Sequence, residues 1–432
     1  MSSKSLKPLY HEEVAMGNKI TLTDITNPSL SREDVKALIE SRKRNFSLEA
    51  PFYNSQEIFD LDMSEIFCKS WIFAGLTCEI PKTGNYMTLE IGNNPIFLVR
   101  DKEGKIQGYH NTCRHRGHKV VLGDAGKVAK LVCPYHQWTY ELDGQLLFAN
   151  SMELTDGFEK KEFSLHPISV EILQGYIFVS LAEEPEPFGA FAEKAQAHIG
   201  IHDLENAKVA VESHIVEDTN WKLVIENNRE CYHCNGAHPE LLNSLIEFDD
   251  TTDPRATDEF KALCAEKEAK WESLGVPYKH IEEGLRNRIV RMPLLNGVVS
   301  MTMDGKRACS KLLGNIPDED MGAMRFLHLP NSWNHFQGDH LITFRVLPLG
   351  PQKTLVTTKW VVHKDAVAGV DYDVERMRHV WDQTNLQDKE LAERSQDGIN
   401  SLAYQPGPYH PTYEFGVINF IDWYCDELAK NL

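Results

Sequence analysis

Two pairs of potential metal ligands constrain the fold of this chain more than any other feature. Cys113 and His115 form a Cys-x-His pair, Cys133 and His136 form a Cys-x-x-His pair, and seventeen residues lie between the pairs. Thiolate sulfur and imidazole nitrogen are both ligands of transition metals. The intervening segment must therefore fold back on itself if the four side chains are to share one metal centre.

Two kinds of centre use such a ligand set. A structural zinc ion accepts two cysteines and two histidines. A binuclear iron–sulfur centre uses the cysteines for one iron and the histidines for the other. Between Trp71 and about Ser180, short β-rich runs alternate with Gly, Asn and Asp turns, which predicts a small all-β domain with each ligand pair at a turn. This context favours the binuclear centre, although spacing alone leaves zinc open.

Length, charge and cysteine content narrow the class of protein. A chain of 432 residues is expected to form two domains. The formal net charge of −19 argues against a nucleic-acid or anionic-membrane partner, and no apolar run is long enough to span a membrane. Nine sparse cysteines favour a reducing compartment over a secreted disulfide framework. Met1 to Leu22 has no signal-peptide pattern, so we expect a cytoplasmic protein.

Hydrophobic periodicity predicts helices and strands on both sides of the β-rich domain. Helices are expected after a capping residue at Ser31 and over Asn54–Phe67, Thr257–Leu274 and Asp371–Asn400. Strands are expected over Gly297–Met303, His340–Leu347 and Thr354–Val362. The acidic, proline-containing segment Leu181–Phe188 is expected to separate the two domains.

A second group of potential ligands follows that boundary. His233 and His238 are five residues apart, and we expect them near one face of a helix. Two histidines and one carboxylate on one face of a metal leave positions open for dioxygen, as an Fe(II) oxygenase requires. A histidine pair alone is more often structural. Cys231 and Cys234 flank His233, and packing as small apolar groups is favoured for them over a redox dithiol or a zinc role.

Together, the two motifs resemble those of the large subunits of Rieske non-haem iron oxygenases. Around the first motif the shared residues are Arg116, Gly117, Pro134, Tyr135 and Trp138. The second has the pattern E-N-x-x-E-x-Y-H-x-x-x-x-H, which begins at Glu226. The resemblance covers the chain from about Phe52 to Trp423, and it makes a zinc centre much less favoured.

This resemblance implies two iron centres and dioxygen as co-substrate. The expected ligands of a Rieske [2Fe–2S] cluster are Cys113, His115, Cys133 and His136. A mononuclear Fe²⁺ would be held by His233, His238 and a carboxylate farther along the chain. The family pattern D-x-x-x-x-E-x-x-Q selects Asp388 for that third ligand, with Asp382 as the main competitor.

The resemblance also implies a role for Glu230 between subunits. The family uses the acidic residue at this position to connect the mononuclear site with a Rieske histidine, here His136, of the neighbouring subunit. Most members have aspartate there, so the glutamate is a departure from the pattern. The implied assembly is a homotrimer or a multiple of three.

The implied fold class is α+β. A helical segment over residues 1–50 is expected to pack on the catalytic domain. An all-β Rieske domain is expected over residues 51–182. A larger α+β catalytic domain is expected over residues 183–432, with a helix-grip-like antiparallel sheet flanked by helices.

Within the family, the glutamate at position 230 looks most like the branch that acts on quaternary ammonium compounds. The implied reaction is O₂-dependent N-demethylation that releases formaldehyde, with glycine betaine as the predicted substrate. Stachydrine, carnitine and choline oxidation are the alternatives, and so is aromatic-ring dihydroxylation. No G-x-G-x-x-G pattern occurs, so NAD(P)H is expected to act only through a separate flavin and iron–sulfur reductase.

Aromatic side chains in the last third of the chain are candidates for binding such a substrate, because aromatic faces attract a methylated ammonium group. The predicted substrate-binding residues are Trp333, Phe336 and Tyr404, and Tyr409 and Tyr413 are further candidates. Packing in the core is the alternative for each. Two rivals from other classes stay open on the sequence alone: a zinc-stabilised binding protein, and a Rieske electron carrier with a structural second domain.

Overall fold

The structure is a computed structural model that describes residues 29–246 and 251–432. Most of the predicted N-terminal segment, residues 1–28, therefore lies outside the described residues. The described part begins with three helices: α1 (Arg32–Ser41), α2 (Pro51–Asn54) and α3 (Gln56–Leu61). As predicted, Ser31 caps α1, in a capping box with Asp34.

The helix predicted over Asn54–Phe67 is not continuous. Ser55 ends α2 and caps α3, because its hydroxyl oxygen accepts the backbone N–H of Ile58 at 3.2 Å. A π-helical turn then covers Asp62–Phe67. A serine side chain that competes for backbone N–H groups favours a helix start over a helix interior, which explains the break.

The all-β domain follows. Its strands are β1 (Ile72–Leu76), β2 (Asn85–Ile91), β3 (Asn94–Arg100), β4 (Ile106–His110), β5 (Ala125–Lys127), β6 (Leu131–Val132), β7 (Thr139–Tyr140), β8 (Leu146–Phe148), β9 (Pro167–Leu173) and β10 (Tyr176–Ser180). One antiparallel sheet has the order β1-β10-β9-β4-β3-β2-β5, and a small second sheet has the order β6-β7-β8. In β2, alternate residues Met87, Leu89 and Ile91 are buried, as expected for a strand with one face on the core.

The second domain is built on another antiparallel sheet, in the order β11-β17-β16-β15-β14-β13-β12. Its strands are β11 (Ala207–Glu217), β12 (Ile281–Glu283), β13 (Asn287–Met292), β14 (Ala323–His328), β15 (Ser332–Phe336), β16 (Leu341–Gly350) and β17 (Lys353–His363). Its helices are α4 (Gly189–Gly200), α5 (Trp221–Asn228), α6 (Cys234–Ala237), α7 (Asp258–Ser273), α8 (Val374–Ile399) and α9 (Phe415–Lys430). The predicted α+β class with an antiparallel catalytic sheet is confirmed.

The helix α8 crosses this sheet and contacts α5 and β11. Its C-terminal half is anchored to the turn before α5. The Glu393 carboxylate accepts the backbone N–H of Asp218 at 2.8 Å, and the Gln396 side chain accepts that of Asn220 at 3.0 Å. These bonds fix the position of α8 relative to the segment that precedes α5.

Most of the predicted elements in this domain are confirmed, with one exception. The helices predicted over Thr257–Leu274 and Asp371–Asn400 correspond to α7 and α8, and the two later strands lie in β16 and β17. The strand predicted over Gly297–Met303 is wrong, because this segment forms turns. Gly297 has a φ of +81°, which ends any extended run.

Contacts between the domains involve β1 and the catalytic sheet. The Asn331 side chain accepts the backbone N–H of Phe73 at 2.9 Å and donates to the carbonyl of the same residue at 3.1 Å. All five residues of β1 are buried, although it is the edge strand of its own sheet. The catalytic domain therefore covers this edge and satisfies its backbone groups.

Candidate active site

The first ligand group lies on two matching loops. In each loop, the backbone N–H of the cysteine donates to the carbonyl of the residue five positions later. The backbone carbonyl of the cysteine accepts the N–H of the residue four positions later. All four distances are between 2.8 and 3.0 Å. That fourth residue has a positive φ in both loops, +75° at Gly117 and +60° at Gln137. The loops connect β4 to β5 and β6 to β7, so the pairs predicted at turns do lie at turns.

The loops place sulfur inside and imidazole outside. Cys113 and Cys133 are only 3% and 1% exposed, whereas His115 and His136 are exposed, with ring centroids 4.6 Å apart. Such a layered arrangement suits a binuclear cluster whose inner iron binds the cysteines and whose outer iron binds the histidines. The four residues fit that group.

Tyr140 is hydrogen-bonded to one of the buried cysteines. Its hydroxyl oxygen lies 3.1 Å from the backbone N–H of Arg114, which it accepts, and 3.3 Å from the Cys113 sulfur. Since a metal-bound thiolate has no proton, the tyrosine must be the donor to sulfur. Burial, followed by the bond to Cys113, raises the pKa of Tyr140, which keeps this proton in place.

The second ligand group lies where the chain leaves α5. His233 immediately precedes the single turn of α6, and His238 immediately follows it. The two histidines therefore do not share one face of a helix, contrary to the prediction. Instead, a single helical turn lies between them and brings their rings face to edge, with centroids 4.9 Å apart. Their Nε2 atoms are 2.9 Å apart.

Asp388 of α8 completes this group. Its Oδ1 atom lies 2.9 Å from Nε2 of His238 and 3.5 Å from Nε2 of His233. Ligands about 2.1 Å from a metal and at right angles to one another are about 3 Å apart, so these three atoms fit an iron ion. That Oδ1 atom is buried and accepts no hydrogen bond from the described residues. Asp382, the competitor, instead forms an ion pair with Arg378.

The outer nitrogens of both histidines also have partners. Nδ1 of His233 donates to the Glu230 carboxylate, and Nδ1 of His238 lies 2.8 Å from the Gln387 side-chain oxygen. Glu230 also accepts the backbone N–H groups of Tyr232 and His233. Partners of this kind orient ligand imidazoles toward a metal.

Electrostatics favour a cation where the three donor atoms meet. Burial opposes the charged form of His233, but the neighbouring carboxylates of Asp388 and Glu230 raise its pKa to about 9. Burial would raise the pKa of Asp388, but the two imidazoles lower it. Burial and the charge of Asp388 raise the pKa of Glu217 to about 8. The raised pKa of His233 shows that the site favours positive charge beside Asp388 and Glu230. A divalent metal would supply that charge and bind the neutral imidazoles through Nε2.

A cavity of about 980 Å³, including its open mouth, is lined by the ligand group, His233, His238 and Asp388, and by Glu230. One wall is a face of the sheet, where Arg325 pairs with His335 and Leu327 pairs with Trp333 across β14 and β15. Trp381 of α8 closes the wall, with its ring centroid 4.6 Å from that of His335. Aromatic side chains therefore line part of the cavity that also contains the histidine ligands.

The predicted substrate-binding aromatics are only partly in this cavity. Trp333 and Tyr413 line it. Phe336 is wrong as a lining residue, because it is fully buried against His202, with ring centroids 4.5 Å apart. Successive strand residues point to opposite faces, so Trp333 and Phe336 separate. Tyr404 is wrong as well: its hydroxyl donates to the Leu48 carbonyl at 2.9 Å, in the contact with the N-terminal segment.

Cys231 and Cys234 also differ from the expectation. They form a disulfide across the turn that contains His233. They are therefore bonded to each other instead of packing as separate thiols, and neither sulfur is a free metal ligand. Of the remaining cysteines, only Cys113 and Cys133 belong to the first ligand group.

Two family models match the two halves of this architecture. A model described as the Rieske [2Fe–2S] domain matches residues 70–158. A model described as the ring hydroxylating alpha subunit (catalytic domain) matches residues 204–430, which is more than half of the chain.

The chain belongs to the Rieske non-haem iron oxygenases.

Similar proteins agree with this membership. The oxygenase is 58% identical over 413 residues to the glycine betaine monooxygenase oxygenase subunit of Pseudomonas aeruginosa, covering 96% of each chain. It is 55% identical to the protein of the same name from Chromohalobacter salexigens, covering 98% of this chain and 95% of that one. A quaternary ammonium Rieske monooxygenase, whose structure is described as giving insights into carnitine oxidation and inter-subunit electron transfer, has a TM-score of 0.68 at 21% identity, covering 91% of this chain and 98% of that one.

Membership in this family confirms the resemblance and the class of enzyme. The oxygenase is an oxidoreductase with a Rieske [2Fe–2S] cluster and a non-haem iron. As one component of a multicomponent system, it needs a reductase and acts on a small molecule. No helix in residues 29–246 or 251–432 is long and apolar enough to cross a membrane.

Several cavity residues of the oxygenase were not predicted. Two of them carried a readable signal: Trp381 precedes Asp388 by seven residues, or two helical turns, and His335 follows Trp333 by two residues on a strand. The first spacing places Trp381 and Asp388 on one face of a helix, and the second places Trp333 and His335 on one face of a strand. Arg325 and Gln387 gave no such signal, because their places depend on strand register and on a contact between distant segments.

Proposed function

We propose that the oxygenase removes one N-methyl group from glycine betaine with dioxygen and two electrons. One oxygen atom enters an N-methyl C–H bond, and the hydroxymethyl group then leaves as formaldehyde when the C–N bond breaks and the nitrogen keeps the electron pair. The other oxygen atom leaves as water with two protons, and dimethylglycine is the second product. The observation that carries this proposal is the 55–58% identity, along nearly the whole chain, to proteins named for glycine betaine.

The proposed metal ligands divide between the domains, here taken as residues 51–182 and 183–432, with the described residues 29–50 on the catalytic domain. Cys113 and Cys133 would hold the inner iron of the cluster, and the two exposed histidines, His115 and His136, would hold the outer iron. His233, His238 and Asp388 would hold the mononuclear iron from one side and leave its other side open to the cavity. When bound, the mononuclear iron supplies dioxygen activation, and the cluster supplies electrons.

The cavity suits a zwitterion with a methylated ammonium group. Trp333 and Trp381 line the same cavity as the ligand group, and an aromatic face there would hold that cation. Four arginines line the same cavity, on a chain whose formal net charge is −19: Arg229, Arg255, Arg288 and Arg325. Guanidinium groups bind carboxylates, which favours a betaine over choline, because choline has no carboxylate.

Turnover of a substrate panel tests this proposal. We expect glycine betaine to have a kcat/KM at least about tenfold above those of the larger substrates stachydrine and carnitine, since one methylene in a pocket is worth about 1–3 kcal/mol. At least the same difference is expected over choline, which lacks the carboxylate, since a hydrogen bond to a charged group is worth about 1.5–3 kcal/mol. Formaldehyde and dimethylglycine should form in equal amounts. Preference for choline, or hydroxylation of naphthalene without formaldehyde, would contradict the proposal.

Replacement of the third ligand tests the ligand set. Asp388→Ala should lose the mononuclear iron and all turnover, and should retain the visible spectrum of the cluster, because the two ligand sets share no residue. Asp382→Ala is the matched control on the same helix, and should retain iron because Asp382 pairs with Arg378. Iron analysis of both purified variants decides between them. Loss of iron only in Asp382→Ala would make that residue the ligand.

We infer that Glu230 connects subunits in a homotrimer, or a multiple of three. It lines the cavity and binds the outer nitrogen of His233, so its carboxylate is one hydrogen bond from the proposed iron ligand. The cluster histidines are exposed and available to a neighbouring subunit. Glu230→Gln should retain both metal centres and lower the single-turnover product yield at least about tenfold. An unchanged yield would limit Glu230 to a structural role.

A further inference from the structure

Gln387 links the second and third ligands of the proposed iron site. It immediately precedes Asp388 on α8, and its side-chain oxygen lies 2.8 Å from Nδ1 of His238. The side-chain amide also donates from Nε2 to the Glu240 carboxylate at 2.8 Å. A continuous chain of hydrogen bonds therefore runs from Glu240 through Gln387 to His238.

This chain determines which nitrogen of His238 carries the proton. A carboxylate at this position accepts only, so Glu240 must face the NH₂ end of the amide. The amide oxygen is then turned toward His238 and accepts its Nδ1–H. The lone pair of His238 is left on Nε2, which lies 2.9 Å from Asp388.

The same contact joins two segments that are far apart in sequence. His238 and Glu240 follow α6, whereas Gln387 lies 149 residues after His238, on α8. The bonds from Glu393 and Gln396 to the turn before α5 anchor α8 five and eight residues beyond Asp388. The Gln387 contact aligns the helix at the ligand itself.

We propose that Gln387 is a positioning residue of the mononuclear metal site and that Glu240 acts through it, by orienting its amide. This inference rests on the ligand set of the proposed function. Gln387 contacts no reacting atom; it holds His238 in one tautomer and one ring orientation and keeps Asp388 beside it. His233 differs, because its outer nitrogen is held directly by the carboxylate of Glu230.

Metal affinity tests the proposal without turnover. The variants are purified with the cluster intact, the mononuclear site is stripped with a chelator, and the dissociation constant for Co²⁺ is measured by titration calorimetry. Gln387→Leu should weaken Co²⁺ binding about 10- to 100-fold, the range for loss of a partner behind a ligand histidine. Gln383→Leu, on the same helix, is the matched control and should bind Co²⁺ as the unaltered chain does. The cluster spectrum reports correct folding in each variant.

A double-mutant cycle tests the route through Gln387. Glu240→Leu should weaken Co²⁺ binding in the unaltered chain and should have no further effect in Gln387→Leu. The exchange variant Glu240→Gln/Gln387→Glu restores both hydrogen bonds with the charge moved next to His238. It should recover the affinity to within about threefold and restore the EPR spectrum of high-spin Co²⁺, which a purely structural role of Gln387 would not predict.

His238→Ala separates failure of this proposal from failure of the ligand set. If His238→Ala abolishes Co²⁺ binding and Gln387→Leu leaves it within threefold, the positioning role is refuted and the ligand set stands. If His238→Ala also leaves Co²⁺ binding unchanged, the ligand set of the proposed function is wrong.

Discussion

Tyr140 illustrates how one side chain controls a redox centre from outside the ligand set. Its hydroxyl accepts the N–H of Arg114 and directs its own proton to the Cys113 sulfur, 3.3 Å away. The reduced cluster carries one more negative charge than the oxidised cluster, so a donor to sulfur stabilises the reduced form more. The hydroxyl should therefore raise the reduction potential.

Removal of this hydroxyl should lower the potential of the cluster. If the bond is worth about 1 kcal/mol more in the reduced form, Tyr140→Phe should shift the midpoint by roughly −40 mV, since 59 mV of a one-electron couple corresponds to about 1.4 kcal/mol. Spectroelectrochemical titration measures the shift. Tyr86→Phe removes a hydroxyl from β2 of the same domain and should leave the midpoint unchanged. A higher potential in Tyr140→Phe would mean that the bond favours the oxidised cluster.

Arg325 lies on the sheet wall of the cavity, and we expect it to distinguish a betaine from choline. It pairs with His335 across the strands, and its partner strand also carries Trp333, so guanidinium and aromatic faces share one wall of the cavity. Arg325→Gln should lower kcat/KM for glycine betaine about 10- to 100-fold, since a charged hydrogen bond is worth about 1.5–3 kcal/mol. The value for choline should change less than about threefold. Equal losses for both substrates would indicate a structural defect.

At the scale of elements, the sequence predicts what is periodic and misses what is a single turn. The apolar spacing of α7 and α8 and the β-rich runs of β16 and β17 were sufficient to locate these elements. The one-turn helix α6 has no period to detect, so the histidines were expected on one helix face. The segment 297–303 is apolar enough for a strand, but it contains turns and pairs with no neighbouring strand.

In the candidate site, too, the sequence predicts some residues and misses others. The ligands are readable because metal chemistry restricts residue type and local spacing, as for His233 and His238. The residues that hydrogen-bond to the ligands cannot be predicted in this way, because Gln387 reaches His238 only after α8 crosses the sheet. The exclusion of Phe336 from the cavity follows from strand alternation, once β15 is known to begin at Ser332.

Helix α5 carries a buried acid whose titration should affect stability. Glu226 accepts hydrogen bonds from the hydroxyls of Tyr53 at 2.8 Å and Tyr409 at 2.7 Å, which connect α5 to the N-terminal and C-terminal segments. Burial raises the pKa of Glu226 to about 7, against the opposing effect of both tyrosines. Between its ordinary pKa of about 4.3 and pH 7, the folded chain keeps a proton that the unfolded chain has lost. Stability must therefore fall as pH rises through this window.

Glu226→Gln should remove that dependence. The amide has no charge to desolvate, so the variant should gain stability relative to the unaltered chain by up to about 3 kcal/mol between pH 5 and pH 8. Apparent thermal midpoints at one scan rate, taken every half unit of pH, measure this difference. Glu193→Gln, at an exposed position of α4, is the control and should give a constant difference. A constant difference for Glu226→Gln would mean that its carboxyl is already ionised at pH 5.

On the scale of the whole molecule, the exposed surface of the Rieske domain bears on assembly. Tyr135 is half exposed, and its ring lies against that of His136, with centroids 3.8 Å apart and the planes tilted by 30°. Arg116 lies over the Tyr135 ring, at 5.2 Å. An exposed aromatic and an arginine beside the outer cluster ligands are the residue types enriched at protein interfaces. This surface is where we expect a neighbouring subunit.

Mixed trimers test whether electrons pass between subunits. Cys133→Ala subunits would lack the cluster, and His233→Ala subunits would lack the mononuclear iron, so each variant alone should be inactive. The two are coexpressed with different affinity tags, and assemblies that carry both tags are purified. A mixed cyclic trimer contains either two Cys133→Ala subunits and one His233→Ala subunit, or one and two. In both cases, one subunit with an intact iron site lies next to a subunit whose intact cluster can reduce it. Mixed trimers should therefore show about one third of the activity of the unaltered trimer. Inactive mixed trimers would mean that each chain reduces its own iron, and full activity in a monomer would remove the need for the trimer.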